Sequence, residues 1–150
     1  VTSKSWAVNH STFQVDDVIH YLHKSSMFTK ADIALGAFVW NEHEVQKIIR
    51  HLKSEKFPGR IILGGPQISY VKADIEKYYP DGDVFIRGYA EDAIAQLFLS
   101  KEKYPTIQGV HYAGQSSLNL SASADLNCLP SPFLTGVLQK QKFMRWETQR

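Results

Sequence analysis

Arg60-Ile-Ile-Leu-Gly-Gly-Pro-Gln67 decides the fold. Its apolar run is short and stops abruptly at Gly64-Gly65-Pro66, which reads as a strand delivering the chain to a tight turn. Upstream, Val45, Ile48, Ile49 and Leu52 fall at the spacing of one buried helix face. Asn41 and Glu44 resemble a capping pair at the start of that helix, and Pro58-Gly59 breaks it. Residues 33–40 are almost wholly apolar, as a parallel strand covered on both faces should be. Before them, Val15, Val18, Ile19 and Leu22 mark another helix, and residues 4–9 read as a short possible strand. Downstream, Ile68, Val71, Ile75 and Tyr78 predict a helix closed by Pro80-Asp81-Gly82. Residues 84–87 read as a strand ending at Gly88, and Ala93, Ile94, Leu97 and Phe98 give the next helix its inner face.

Strands alternating with helices predict an α/β fold of Rossmann-like (flavodoxin-like) type, a parallel sheet flanked by helices with right-handed crossovers. Residues 107–112 and 118–121, joined by Gly114-Gln115-Ser116, read as a terminal β-hairpin. From Ser123 the periodicity fades, and Leu129-Pro130-Ser131-Pro132 is a linker signature. The expected division is therefore an α/β domain over residues 1–122 and a linker over 123–150. The chain begins at Val1 and stops in a charged run, so both ends are expected to be cuts within a longer protein.

Composition narrows the functional classes. The 150 residues carry 17 Lys plus Arg against 15 Asp plus Glu, a net charge of +2. That balance argues against a general nucleic-acid binder. One cysteine excludes a disulfide framework, and equally a zinc or iron–sulfur site built from cysteines of this chain alone. No apolar run approaches the ~20 residues needed to span a bilayer. A cytoplasmic domain without membrane or nucleic-acid partners is expected.

In such folds ligands bind beyond the carboxyl ends of the strands. Three ends stand out: Val39-Trp40-Asn41, Gly64-Gly65-Pro66-Gln67 and Gly88-Tyr89-Ala90-Glu91. Paired glycines at 64 and 65 admit close approach of backbone to a flat or phosphate-bearing ligand, with the following amides as donors; a tight turn explains them equally well. Asn41 suits a helix N-cap, Glu91 a helix first turn, and Trp40 a lid over the core. His20 and His23 read as a surface pair rather than metal ligands, and Cys128 as a bland linker residue. The P-loop, the G-x-G-x-x-G fingerprint and the G-x-S-x-G elbow are all absent.

Taken together, Ile33-Ala-Leu-Gly-Ala-Phe-Val-Trp-Asn41, Ile61-Ile-Leu-Gly-Gly-Pro-Gln-Ile-Ser-Tyr70 and Asp83-Val-Phe-Ile-Arg-Gly-Tyr-Ala-Glu91 resemble one family. It is the N-terminal cobalamin-binding domain of cobalamin-dependent radical S-adenosylmethionine enzymes. Phe143-Met-Arg-Trp-Glu-Thr-Gln-Arg150 looks like the lead-in to that family's radical barrel. The resemblance implies that Val39, Trp40, Asn41, Gly64, Gly65, Pro66, Gln67, Gly88, Tyr89, Ala90 and Glu91 bind cobalamin. It implies no catalytic residue and no metal ligand in this chain, which alone is not expected to be catalytic. The partner is then the radical SAM barrel of the same parent chain, which would hold a [4Fe-4S] cluster and S-adenosylmethionine and support methyl transfer or a related radical reaction. Gln67 stands where the family usually has glutamate, and Tyr89-Ala90 where it has Glu-Gly. The Asp-x-His-x-x-Gly motif is absent, so cobalt would receive no histidine ligand from it. Two other readings stand beside this one: the same fold with corrinoid binding lost, kept as an interaction domain, and a flavodoxin-like binder of a phosphorylated small molecule.

Overall fold

The computed structural model describes residues 4–137, apart from 5, 7, 9, 26, 30, 72, 117, 118 and 126. The expected strand at residues 4–9 and the segment 143–150 therefore lie partly and wholly outside the described residues. Chain order is α1 (Val15–Lys24), a 3-10 turn (Met27–Thr29), β1 (Ile33–Gly36), α2 (Glu42–Ser54) and β2 (Ile61–Gly64). Then follow α3 (Pro66–Tyr70), α4 (Ile75–Tyr78), β3 (Val84–Ile86), α5 (Ala90–Leu99) and β4 (Val110–Tyr112). The strands form one sheet in the order β1-β2-β3-β4, the first three parallel and β4 antiparallel to β3. This is the expected α/β, Rossmann-like arrangement. No helix among the described residues is long and apolar enough to cross a membrane.

Period-two alternation divides the core. Ile33, Ile61, Leu63 and Phe85 face one side, under Val18, Ile19 and Leu22 of α1 and Val45, Ile48, Ile49 and Leu52 of α2. Ile62, Val84, Ile86 and Tyr112 face the other, under Ala93 and Leu97 of α5. The apolar spacing of α1 and α2 placed these residues well.

Three expectations need correcting. β1 stops at Gly36, and residues 39–41 turn, because the Asn41 carboxamide folds back into the loop. Its Oδ1 accepts from Phe38 N at 2.7 Å and its Nδ2 donates to Gly36 O at 2.9 Å, so the side chain caps no helix. The single helix expected over 68–78 is two short ones, with Asp74 in the left-handed region (φ 54°) ahead of α4. That break shifts the phase, so Tyr79 is buried and Tyr78 is 60% exposed. Of the expected hairpin, β4 pairs with β3 instead, residue 118 lies outside the described residues and residues 119–121 join no named strand; beyond them Ala122 makes an isolated parallel bridge to Gly88. His20 and His23 both lie exposed on α1, as expected, and His23 Nε2 meets Glu55 Oε2 at 2.8 Å.

One polar tie sets a pH response. Glu76 on α4 holds His111 Nε2 through Oε1 at 2.9 Å and accepts from Gly114 N through Oε2 at 3.0 Å. The Gly114 amide first, and His111 after it, keep the Glu76 carboxyl below its ordinary value. A folded pKa depressed in this way contributes stability above the unfolded value near 4.5, lost as pH falls through the lower folded value. Urea midpoints measured between about pH 5 and pH 3 should fall less steeply in Glu76→Gln than in the unsubstituted chain. Equal slopes would mean that this carboxylate carries none of the acid sensitivity.

Candidate functional site

The parallel register sets Gly36 beside Gly64 at the carboxyl ends of β1 and β2. Just past them opens a crevice of about 620 Å³, lined by Phe38, Gly65, Pro66, Ser69, Tyr70, Gly88, Tyr89, Ala90, Glu91 and Ile94. That volume lies within the usual range for small-molecule sites. Among the described lining residues Glu91 alone is charged, so the walls are aromatic, aliphatic and backbone.

The two glycine turns are built by the chain's own packing. Gly65 has φ +98°, and a Cβ there would stand 2.7 Å from Ala37 O. Gly88 has φ +79°, and a Cβ there would stand 2.4 Å from Ala122 O. Gly64 differs: it lies in the strand, and a Cβ would find nothing closer than Ile86 O at 3.8 Å. Intramolecular packing therefore accounts for Gly65 and Gly88 and leaves Gly64 unexplained.

The amides offered by sequence as ligand donors are used internally. Gln67 N donates to Ala37 O at 3.2 Å, and Ile68 N and Ser69 N donate to Gly65 O at 3.1 and 3.0 Å. Tyr89 N donates to Ala122 O at 3.1 Å. Ser69 Oγ joins the two turns, donating to Gly65 O and accepting from Gly88 N, each at 3.0 Å. Losing one hydroxyl that serves two backbone groups costs roughly 1–3 kcal/mol. Ser69→Ala is expected to lower stability by about that much in urea unfolding; an unchanged midpoint would show the latch to be dispensable.

Of the eleven expected binding residues, six line this crevice: Gly65, Pro66, Gly88, Tyr89, Ala90 and Glu91. Gly64 sits one residue below it. Val39 and Trp40 are 78% and 57% exposed, with Trp40 stacked on the lining ring of Phe38 at 5.0 Å. Trp40 is thus no lid over the core. Asn41 is buried and committed to its own loop. Gln67 turns away, donating to Glu42 Oε2 at 2.8 Å, while the other oxygen of Glu42 accepts from Tyr79 OH at 3.0 Å. Burial, and then the Glu42 contact, push the Tyr79 phenol above its ordinary pKa. Sequence reasoning missed Phe38, Ser69, Tyr70 and Ile94. Ser69 and Tyr70 stood inside the quoted glycine motif and could have been taken from it. No group of three or more His, Cys, Asp or Glu among the described residues is placed to hold a metal ion.

The geometry defines an α/β domain with a broad, weakly charged crevice at the carboxyl ends of its strands. No family model matches the chain. It is similar to 2-(S-pantetheinyl)-carbapenam-3-carboxylate methyltransferase of Streptantibioticus cattleyicolor, 28% identical over 140 residues, covering 79% of this chain and 20% of that protein. It is also similar to the cobalamin-dependent radical SAM methyltransferase TokK of Streptomyces tokunonensis, 26% identical over 137 residues with the same coverage of each chain. The chain thus spans about a fifth of the length of these curated relatives.

Proposed function

We propose that this chain is the cobalamin-binding module of a radical S-adenosylmethionine methyltransferase. The observation that carries the reading is the low rim: Gly36 beside Gly64, followed by Gly65, Gly88 and Ala90 around one crevice. A flat, amide-fringed macrocycle needs a rim free of bulky side chains and walls that offer ring faces. Phe38, Tyr70 and Tyr89 supply such faces. The similarity to a cobalamin-dependent radical SAM methyltransferase supports the same assignment.

The residues present fit a corrinoid. Gly64, Gly65 and Pro66 would bound it from β2, with Gly88, Tyr89, Ala90 and Glu91 bounding it from β3 and α5. No histidine is among the described lining residues, so the crevice offers cobalt no imidazole. When bound, cobalamin supplies a methyl carrier; the chain's own residues position it and shield one face from water. The [4Fe-4S] cluster and S-adenosylmethionine belong, in this reading, to a barrel elsewhere in the parent chain. The competing readings draw less support. A phosphate binder calls for cationic groups that the described lining lacks, and an interaction domain with a filled pocket would close the crevice with its own aromatics, whereas Trp40 stands in solvent and Tyr89 lines a crevice that stays open at about 620 Å³.

Incubation with hydroxocobalamin followed by gel filtration tests the proposal. The folded chain should carry a corrinoid absorption spectrum through the column. A chain with native circular dichroism that elutes without corrinoid sinks the idea.

A further inference from the structure

We propose that Phe38 selects the ligand of the crevice: its fixed ring is the wall against which the macrocycle of a corrinoid stacks, and Gly36 lacks a side chain in order to seat that ring. The proposal rests on the corrinoid reading and adds to it the part of the ligand that this wall recognises. Pleat alternation turns Gly36 and its register partner Gly64 to the α5 side of the sheet, the side that Ile62 faces. There the two glycines differ. A Cβ on Gly36 would stand 3.2 Å from Phe38 Cε2, whereas one on Gly64 would find nothing closer than Ile86 O at 3.8 Å. The ring thus stands over the end of β1 and leaves the end of β2 bare.

Backbone and side-chain contacts both fix this ring. Phe38 N donates to Asn41 Oδ1 at 2.7 Å, and Phe38 O accepts from Asn41 N at 3.1 Å. The preceding residue is tied to the β2 turn, with Ala37 N donating to Gly64 O at 2.8 Å and Ala37 O accepting from Gln67 N at 3.2 Å. Trp40 stacks on the ring, with 5.0 Å between centroids and 17° between planes. The ring edge rests on Gly36, and the ring lines the crevice.

This arrangement selects a shape. With one face against Trp40, the opposite face is left for the crevice. An aromatic face held in place beforehand takes up a flat, conjugated surface at little ordering cost. It stands beside Gly64, the bare stretch of rim on which a flat macrocycle fits, so the ring meets the macrocycle rather than the nucleotide tail. Gly36 is then needed by the ring, and by the ligand only through the ring.

Titration of the chain with hydroxocobalamin and with cobinamide, which lacks the nucleotide tail, followed by visible absorption, tests the assignment. Phe38→Ala should weaken both about tenfold, and Phe38→Leu, which keeps apolar bulk without a ring, about threefold. Gly36→Val should displace the ring and weaken both about tenfold, yet cost nothing further in the Phe38→Ala background. Unchanged affinity in Phe38→Ala or in Phe38→Leu overturns the proposal, and Phe38→Leu keeps the test decisive if Phe38→Ala fails to fold. A Gly36→Val loss of the same size with and without the Phe38 ring also overturns it, because Gly36 would then face the ligand itself. A loss confined to hydroxocobalamin overturns the assignment to the macrocycle. Corrinoid binding that ignores these substitutions sinks the wall alone and leaves the proposed function standing, whereas no binding by the unsubstituted chain sinks both.

Discussion

Replacing Gly88 with alanine is expected to lower the unfolding free energy by about 3 kcal/mol, among the largest single-substitution losses in this chain. Two costs add. An L-residue at φ +79° is strained, and its Cβ would stand 2.4 Å from Ala122 O, a backbone atom that no rotamer change can move. Relief requires the Gly88–Ala122 bridge to open. The opening in turn pulls Gly88 N from Ser69 Oγ and Tyr89 N from Ala122 O. Urea unfolding followed by circular dichroism measures the loss. A stability within about 0.5 kcal/mol of the unsubstituted chain would mean that the bridge is not a structural necessity.

Gly64 is expected to behave in the opposite way. Alanine there meets only an ordinary contact, Ile86 O at 3.8 Å, and the backbone lies outside the left-handed region, so stability should change by less than about 1 kcal/mol. Gly64→Val raises two methyl groups on the rim where the corrinoid is proposed to lie. It should abolish corrinoid retention after gel filtration while the fold persists. A folded Gly64→Val chain that retains as much corrinoid as the unsubstituted one would remove the low rim as the basis of the proposed function. Gly88 and Gly64 therefore separate the glycines that folding needs from the one that binding is proposed to need.

The helices were legible where one buried stripe decided them. Val45, Ile48, Ile49 and Leu52 read as α2 because helical spacing and burial are local in sequence. The misread places are those where a side chain reaches across the chain. Residues 37–40 looked like strand because they are apolar, but the Asn41 carboxamide, bonded at both ends, closes a turn that leaves Val39 and Trp40 in solvent. Tyr78 and Tyr79 cannot be told apart by spacing once Asp74 breaks the helix, and Glu42, 37 residues before Tyr79, meets the buried one. Gln67 invited a ligand role from its place after the glycines. In the fold it answers Glu42, beside which a glutamate at this position would bring two like charges together. The contact between Arg87 and Asn119 could not be read at all, since the two lie 32 residues apart.

The short stretch from Asn119 to Ala122 has a kinetic meaning. It touches the Arg87 side chain at one end and closes the Gly88 turn at the other, more than 30 residues after both. Every strand of the sheet precedes it in the chain. During synthesis the sheet can therefore assemble first, while the turn between β3 and α5 waits for residues 119–122 to emerge and close a long loop. The Gly88 turn, and with it the rim of the crevice, then closes late. A nascent chain ending before residue 119 would be sheet-bearing but would lack the Gly88–Ala122 bridge that closes this turn.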